Sequence, residues 1–332
     1  MKHRSMKLPT QVLIMLLITL VHGAVYAQGG WLPERSVELV VPTGPGGGND
    51  TAARTVHAIM QGRKLVDVPV TVVNKPGGGG AVAFSYLNQR PGDGRYLSVI
   101  PVTLITNHIT GSSEFSYTDF TPIAQLYSEY IAFAVKADAP FKDGRELAAK
   151  LKQDPSSVSF GFASSAGNQN HITIAMMAKA AGVNIRQLKT VVFNSGGQAI
   201  TSLLGGHLDV SSSGASGSLP HMEAGRVRII AVAAPQRIPG PLANVPTWRE
   251  LGLNVVFSSW RSMIGPKGMS EAQIAYWDGI VRKMIQSEEW KKDLEKNLWV
   301  SNYLNSRDSR VFLKEQYDDI RGILSDLGLA KR

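Results

Sequence analysis

Hydrophobic and polar positions alternate along this chain in a repeated order. Short apolar runs, rich in β-branched residues, are each followed by a loop of Gly, Ser and Asn, and then by a segment with helical spacing of its apolar positions. The predicted strands cover residues 37–41, 70–73, 158–162 and 190–193. The predicted helices after them cover residues 51–60, 81–87, 171–181 and 198–204. This alternation predicts α/β layers with parallel sheets.

The last third of the chain carries two further helical patterns. Ser270 and Gln273 have the spacing of a capping box, which predicts a helix start. The apolar face that follows consists of Ile274, Trp277, Val281 and Met284. A second stripe consists of Leu313, Tyr317, Ile320, Leu324 and Leu327 and ends at Gly328. Both stripes are typical of core packing.

Two longer β-like segments, residues 130–137 and 255–265, stand apart from this alternation. We interpret them as two strands that cross between two α/β domains. The predicted fold class is therefore α/β with two lobes. Lobe 1 is discontinuous, with residues 28–130 plus 256–332, and lobe 2 has residues 131–255. Hinged clefts between such lobes close around ligands.

The N-terminal segment has the pattern of a secretory signal peptide over residues 1–27. Lys2, Arg4 and Lys7 precede an apolar run at residues 12–21, and a small-residue cleavage pattern ends at Ala27. The alternative, a single membrane anchor, is disfavoured because the apolar run is too short to span a bilayer. We expect a soluble mature chain that begins near Gln28 and is exported into a bacterial periplasm.

Composition removes several classes of chemistry. The 332 residues include no cysteine, which excludes disulfides, thiolate metal sites and cysteine nucleophiles. The formal net charge is +9, which weakly favours acidic ligands or a membrane surface. The basic residues are scattered, so no nucleic-acid partner is expected. P-loop, nucleophile-elbow and zincin motifs are absent, and Asn49 stands where a dinucleotide fingerprint needs its last glycine. We expect neither a cofactor nor a metal.

The loops after the predicted strands are suited to binding anions. Glycine leaves the first N–H groups of a helix open, and these groups attract negative charge together with the helix dipole. The loops at residues 44–50 and 74–80 lie where open α/β sheets bind ligands. Loops at 164–170, 193–197 and 211–218 add hydroxyls and amides, and Lys75 is the only basic residue among all of them. Asp50 and Asn49 are expected to cap their helix, and Arg54 to form a salt bridge.

Two other classes of function remain open at this point. An exported α/β hydrolase would need a nucleophile and a base, and Ser165 with His171 is the only nearby pair. A periplasmic partner of a membrane sensor kinase would bind the same ligand, and the sequence does not separate it from a transport receptor. The absence of a convincing catalytic base favours a binding protein, not an enzyme.

Several motifs together resemble the periplasmic substrate-binding proteins of tripartite tricarboxylate transporters, also called Bug receptors. The similarity runs in order from about Ser36 to the C-terminus and is carried by "PTGPGGGNDTAAR", "VVNKPGGGGAVA", "SSAGNQNH", "FNSGGQAITSLLGGHLDV", "AGRVRIIAVAAPQR", "VPTWRELG" and "WRSMIGPKG". The resemblance implies a periplasmic-binding-protein type II fold without catalysis. It also implies a monomer that captures a small organic carboxylate and delivers it to membrane permease subunits.

The same resemblance implies a set of ligand-binding residues in the two lobes. Lobe 1 contributes Gly46, Gly47, Gly48, Asn49, Gly79, Gly80 and Thr103. Lobe 2 contributes Ser164, Ser165, Gly167, Asn168, Gln169, Ser195, Ser212 and Ser213. The variants "FNSGG" and "WRSM" resemble the tricarboxylate-type branch, which implies a citrate-like ligand with two or three carboxylates. Arg261 is a candidate partner for an extra carboxylate, with a buried salt bridge as the alternative, and Trp260 is a second candidate contact.

Overall fold

The structure is a computed structural model that describes residues 30–46, 48–163, 165–193 and 195–331. The signal peptide predicted over residues 1–27 lies outside these ranges, as do the predicted site residues Gly47 and Ser164. Within the described ranges, no helix has the length and apolar character needed to cross a membrane. Residues from Pro33 onward form one unit, which contains all the described helices and strands.

The predicted alternation of strands and helices is confirmed, with ten strands and ten α-helices in the described residues. The strands are β1 (Val37–Val41), β2 (Val70–Asn74), β3 (Tyr96–Pro101), β4 (Phe120–Lys136), β5 (Ser159–Ala163), β6 (Lys189–Phe193), β7 (Val210–Gly214), β8 (Val227–Val232), β9 (Ser258–Pro266) and β10 (Val300–Leu304). The helices are α1 (Gly48–Gly62), α2 (Ala81–Asn88), α3 (Thr103–Thr110), α4 (Gly144–Gln153), α5 (Gln169–Ala180), α6 (Gly196–Leu204), α7 (Ala215–Glu223), α8 (Glu271–Ile285), α9 (Glu288–Asn297) and α10 (Ser306–Asp326).

The strands fall into two groups that share β4. In the first group, β1 pairs in parallel with both β2 and β3, and β9 lies antiparallel between β3 and β4. In the second, β5 pairs in parallel with β6 and β7, while β7 and β8 flank β4 as antiparallel partners. The strands that precede the glycine-rich loops are therefore parallel neighbours, as predicted, and their carboxyl ends share one edge of each group.

The crossing strand β4 is much longer than the pattern predicted. It spans 17 residues, pairs with β9 as far as Tyr130, and changes to the second group at Ile131. The return crossing differs, because β9 pairs only within the first group and the chain before it is irregular. There the amide of Phe257 donates to the carbonyl of Ala233, 3.0 Å away. The exact lobe boundaries stay a prediction.

Each group of strands has its own buried apolar cluster. The first cluster contains Phe84, Trp260 and Leu313 between the strands and α2, α3 and α10. The second contains Phe160 and Trp248 together with Ile131, Phe133 and Val135 of β4. The two groups of strands thus supply rigid supports on which the loops at their carboxyl ends are held.

The C-terminal helices match their predictions closely. Ser270 and Gln273 form the expected capping box at the start of α8, and the apolar face predicted for that helix is buried. In α10, Leu313, Ile320 and Leu324 are buried, and Gly328 follows the helix with φ of 71°. Both stripes therefore pack into the core.

Candidate functional site

The glycine-rich loop after β1 is fixed by a buried carboxylate, Asp50, in the first turn of α1. Asp50 accepts hydrogen bonds from the Gly46 amide at 2.9 Å, from Arg54 Nε at 2.8 Å and from Asn74 Nδ2 at 2.9 Å. Asn74, at the end of β2, also donates to the carbonyl of Thr43 at 3.0 Å. The salt bridge expected for Arg54 is confirmed. Asp50 stabilises the loop from the first turn of α1. The capping role predicted for Asp50 is wrong, because its carboxylate accepts from the Gly46 amide before the helix and from no helix amide among the described residues.

The protonation of Asp50 should therefore control the stability of this loop. Hydrogen bonding from Arg54, followed by Gly46 and Asn74, lowers the pKa of Asp50 from 3.8 to about 2, against the opposing effect of burial. Because the folded pKa is the lower one, the resulting stability is present above the unfolded value and is lost as the pH falls from about 4 towards 2.

We expect Asp50→Asn to lower the free energy of unfolding at neutral pH by about 2 kcal/mol. Urea denaturation at pH 7 and at pH 3 measures this difference, which should shrink at the lower pH. Asp138→Asn is the matched control, because Asp138 is exposed and forms a surface ion pair with Lys136. Equal losses in the two variants would contradict the role given to Asp50.

The starts of α1 and α3 present open backbone amides at neighbouring strand ends. The amides of Gly48, Asn49 and Asp50, and those of Thr103 and Leu104, donate to no other described residue. The strands before them, β1 and β3, are parallel neighbours, about 5 Å apart as in any sheet. Two helix dipoles thus point their positive ends at one region, which favours an anion there.

Asn49 adds an unpaired side chain to this region. It is 6 % exposed, and its Oδ1 has no hydrogen-bond partner among the described residues. The predicted capping role for Asn49 is wrong, because a cap would accept from a helix amide. A side-chain amide carries both a carbonyl oxygen and an NH₂ group, so Asn49 can offer a ligand either an acceptor or a donor.

The second glycine loop supports the first and also faces α3. The carbonyl of Gly79 accepts from Asn107 Nδ2 of α3 at 2.9 Å. Gly80 has φ of 103° and leaves no room for a Cβ, which would lie 2.8 Å from Phe84 and 3.2 Å from Pro42. Gly79 is exposed and Gly80 is buried. Gly80 therefore allows the loops after β1 and β2 to pack closely. Gly79, by contrast, lies at the surface.

The starts of α5 and α6 in the second group are capped by the side chains of the residues before them, whereas α7 follows Gly214 and has no side-chain cap. Asn168 Oδ1 accepts from the amides of Asn170 and His171 at 3.0 and 3.1 Å, and Ser195 Oγ accepts from the Gln198 amide at 3.2 Å. These amides are therefore already occupied, unlike those of α1 and α3. At the starts of α5 and α6, the groups that this part of the fold offers a ligand are therefore mainly side chains.

Such side chains lie at the start of α5 and on β7. Gln169 Oε1 and Asn170 Oδ1 are buried without a partner among the described residues. Ser212 Oγ donates to the carbonyl of Asn170 at 3.5 Å, and Ser213 Oγ lies 3.3 Å from Ser218 Oγ. Asn170 was missed by the sequence reasoning, although it lies inside the "SSAGNQN" loop beside predicted residues.

The loop before α5 packs against helices of the first group. A Cβ on Gly167 would lie 3.3 Å from both Thr110 of α3 and Leu324 of α10. Ser165, two residues earlier, is exposed. The structure therefore brings this loop against α3, whereas Ser195 is exposed at the start of α6 and has no described contact with the first group.

The pair that would have supported an enzyme does not form. His171 stacks on Phe162 at 5.0 Å, and its Nδ1 accepts from the Gly167 amide at 3.0 Å. Burial lowers the pKa of His171, which favours a neutral ring. No hydrogen bond joins His171 to Ser165 in the described residues. His171 holds the loop in place and has no nucleophile to activate.

Two candidate residues, Lys75 and Trp260, point away from the open amides of α1 and α3. Lys75 Nζ lies over the ring of Tyr86, 3.8 Å from its centroid. Trp260 is fully buried, donates from Nε1 to Gln316 of α10 at 3.1 Å and meets Phe312 edge-on. Trp260 is thus a core residue. Its neighbour Arg261 projects to the opposite face of β9, where Nη2 would lie 3.3 Å from a Cβ on Gly48.

Known proteins with a similar sequence or structure indicate the class of protein to which this chain belongs. A family model described as "Tripartite tricarboxylate transporter family receptor" matches residues 53–329. A curated relative from Cupriavidus necator, the "UPF0065 protein in gbd 5'region", is 26% identical over 306 residues, which are 92% of this chain and 91% of the relative.

Solved structures show the same fold. A TctC solute-binding protein from Polaromonas has a TM-score of 0.77 and 25% identity, and the match covers 89% of this chain and 99% of that one. An R. palustris protein with adipate has a TM-score of 0.76 and 23% identity, with 90% and 99% covered. The fold is that of a two-lobed solute-binding protein, not of an enzyme. The chain belongs to the tripartite tricarboxylate transporter family of receptors.

Proposed function

We propose that this protein is a periplasmic receptor that captures a small organic carboxylate with two or three carboxyl groups. The observation that carries the proposal is the pair of open helix starts, α1 and α3, on the neighbouring parallel strands β1 and β3. One carboxylate docks on these amides. Charge-assisted hydrogen bonds of this kind are worth roughly 1.5–3 kcal/mol each, so a few of them support micromolar affinity.

The second group of strands supplies the other side of the proposed site. Gln169 and Asn170 have buried side-chain oxygens without partners among the described residues, and the loop before them packs on Thr110, at the C-terminal end of α3. Of the residues predicted from the resemblance, Gly46, Gly48, Asn49, Thr103 and Gln169 are the ones we place nearest to the ligand. We assign Gly80, Asn168 and Ser195 mainly to holding loops and helix starts.

The family and its solved members support the choice of ligand and partner. The adipate-bound neighbour carries a six-carbon dicarboxylate, and the matching family is one of transporter receptors. We infer that the mature chain begins near Gln28 after removal of a signal peptide, works in the periplasm as a monomer, and delivers its ligand to membrane permease subunits.

A thermal-shift screen tests the proposal. The chain from Gln28 onward is denatured and refolded to remove any bound ligand, then heated with succinate, malate, adipate and citrate in a carboxylate-free buffer. A ligand at 100 times its Kd adds about 2.7 kcal/mol of stability, which raises Tm by several degrees. We expect a shift with at least one carboxylate and a much smaller one with the corresponding neutral diamide, succinamide or adipamide. Equal shifts with the diamides, or no shift with any carboxylate, would contradict the proposal.

A further inference from the structure

Arg261 occupies a central position between the two open helix starts. In the sheet it lies opposite Pro101, the last residue of β3 before α3, and opposite Tyr127 of β4. Its Nη2 reaches the start of α1, where it would be 3.3 Å from a Cβ on Gly48. Gly48 is exposed. The guanidinium therefore runs from the interior of the sheet towards the surface at which we place the ligand.

The charge of Arg261 is buried and has only neutral partners. The side chain is 8 % exposed. Its Nη1 donates to Ser259 Oγ at 2.9 Å and to the carbonyls of Trp260 at 2.9 Å and Ser259 at 3.4 Å. Its Nε is buried without any partner among the described residues. A buried cation that lacks both an anion and part of its hydrogen bonding is strongly disfavoured unless something completes it.

Two carboxylates on neighbouring elements, Asp50 of α1 and Glu129 of β4, are hydrogen-bonded to other groups. Asp50 is held by Arg54, Asn74 and the Gly46 amide. Glu129, two residues along β4 from Tyr127, accepts from Ser216 at 2.5 Å. Among the described residues, none forms an ion pair with Arg261. The hydroxyl of Tyr127, on the same face of the sheet, also has no described partner.

The opposite side of the proposed site has no comparable positive charge among the described residues. Gln169, Asn170, Ser212 and Ser213 are neutral, and the acidic Glu129 lies against Gly214 at the end of β7. The site is therefore electrically asymmetric, with a cationic end at α1 and, at α5, an end without a described positive charge.

We propose that Arg261 is the charge partner of a single ligand carboxylate at the α1 start, while the second carboxyl group of the ligand is bound by neutral amides and hydroxyls. This inference rests on the proposed function and adds to it a rule for ligand choice. One end of the ligand must be anionic, and the other end tolerates a neutral amide of the same shape.

The rule is tested first with the refolded wild-type chain and calorimetric titration. Two series serve as probes: succinate with its monoamide and diamide, and adipate with its monoamide and diamide. For whichever of the two dicarboxylates binds more tightly, we expect the Kd of its monoamide to lie within about fivefold of the Kd of the dicarboxylate. The diamide should bind roughly 30-fold or more weakly, as is usual when a buried charge loses its partner. A monoamide as weak as the diamide would overturn the proposal.

Arg261→Gln and Arg261→Lys then test whether this residue causes the preference. We expect Arg261→Gln to reduce the ratio of monoamide affinity to diamide affinity by about tenfold, since the open helix amides still favour a carboxylate, and Arg261→Lys to reduce it less. Arg95→Gln is the matched control, because Arg95 pairs with Asp93 beyond the other end of β3 and should leave the ratio unchanged. Circular dichroism and Tm confirm folding of each variant.

The outcomes separate this inference from the proposed function. If no carboxylate binds to the wild type, the proposed function fails and the role of Arg261 fails with it. If carboxylates bind and Arg261→Gln weakens every probe by the same factor, the receptor function stands and the role of Arg261 as a charge partner is overturned.

Discussion

Replacement of Gly48 by valine is expected to weaken carboxylate binding by roughly 30-fold or more, because it blocks the approach to charge-assisted hydrogen bonds. A Cβ at this position would lie 3.3 Å from Arg261 Nη2, so the two methyl groups of valine would crowd the guanidinium at the start of α1. The fold should tolerate the change with a small shift of the Arg261 side chain, since Gly48 is exposed and its φ is not positive.

A graded series on the same helix makes this prediction sharper. Gly48→Ala should weaken binding less than valine does, yet it should leave stability unchanged or raise it by about 0.5–1 kcal/mol, as glycine replacement in a helix does. Stability and affinity would then change in opposite directions. Calorimetric titration and urea denaturation measure the two quantities.

Gly62→Ala is the control for this series. Gly62 is the last residue of α1, is exposed, and has open space where a Cβ would stand, with no atom within 4 Å. We expect it to leave ligand affinity unchanged. If Gly48→Val binds ligand as tightly as the wild type, the ligand does not dock at the start of α1.

The second large effect is expected at Trp260. Trp260→Ala should lower the free energy of unfolding by about 3–5 kcal/mol, the usual cost of removing a fully buried aromatic side chain. The ring is enclosed by Phe312 and the first apolar cluster, and its Nε1 hydrogen bond to Gln316 ties β9 to α10. Chemical denaturation with and without ligand measures the loss.

A smaller change at the same position distinguishes a packing role of Trp260 from a direct contact with the ligand. Trp260→Phe keeps most of the apolar volume, so we expect it to destabilise the chain by less than alanine does and to retain ligand affinity. Val311→Ala is the control on α10, because Val311 is 54% exposed and surface changes usually stay within about 0.5 kcal/mol. A full loss of binding in Trp260→Phe, with stability intact, would show that Trp260 belongs to the site.

The sequence pattern predicted the bounds of the strands before the glycine-rich loops more accurately than the first residues of the helices after them. Strand β1 has the predicted bounds of Val37–Val41. Helix α1 begins at Gly48, three residues before the predicted start. Gly48 and Asn49 are poor helix formers, so local preference placed the boundary at Thr51. The contacts of Asp50 with Arg54, Asn74 and the Gly46 amide accompany the longer helix, and such tertiary contacts outweigh propensity.

The length of β4 could not be predicted from its local pattern. Its first half contains Pro122, Gln125 and Ser128, which weaken a strand signal. In the fold these polar groups are satisfied by distant residues: Ser262 Oγ donates to Gln125 Oε1, and Asn302 Nδ2 donates to Ser128 Oγ at 3.3 Å. Partners more than one hundred residues away in sequence are invisible to a local window.

Part of the candidate site could likewise be predicted from the local sequence, and part of it depends on residues that are distant in sequence. Alternation along a strand does imply that Trp260 and Arg261 face opposite sides of β9, but it does not show which side meets α1 and which meets α10. Ser195 and Asn168 precede helices and are common N-cap residues. That local signal already indicates that they occupy the helix amides and do not leave them open.

The central claim is that a ligand carboxylate docks on the open amides at the starts of α1 and α3. A crystal structure of the refolded chain, soaked with the tightest-binding carboxylate of the thermal-shift panel, tests it most directly. We predict ligand oxygens within hydrogen-bond distance of the Gly48 or Asn49 amide, with Arg261 beside them and Gln169 or Asn170 on the far side. A ligand seated elsewhere would contradict the account, for example in the cavity of about 610 Å³ between residues 236–241 and α9.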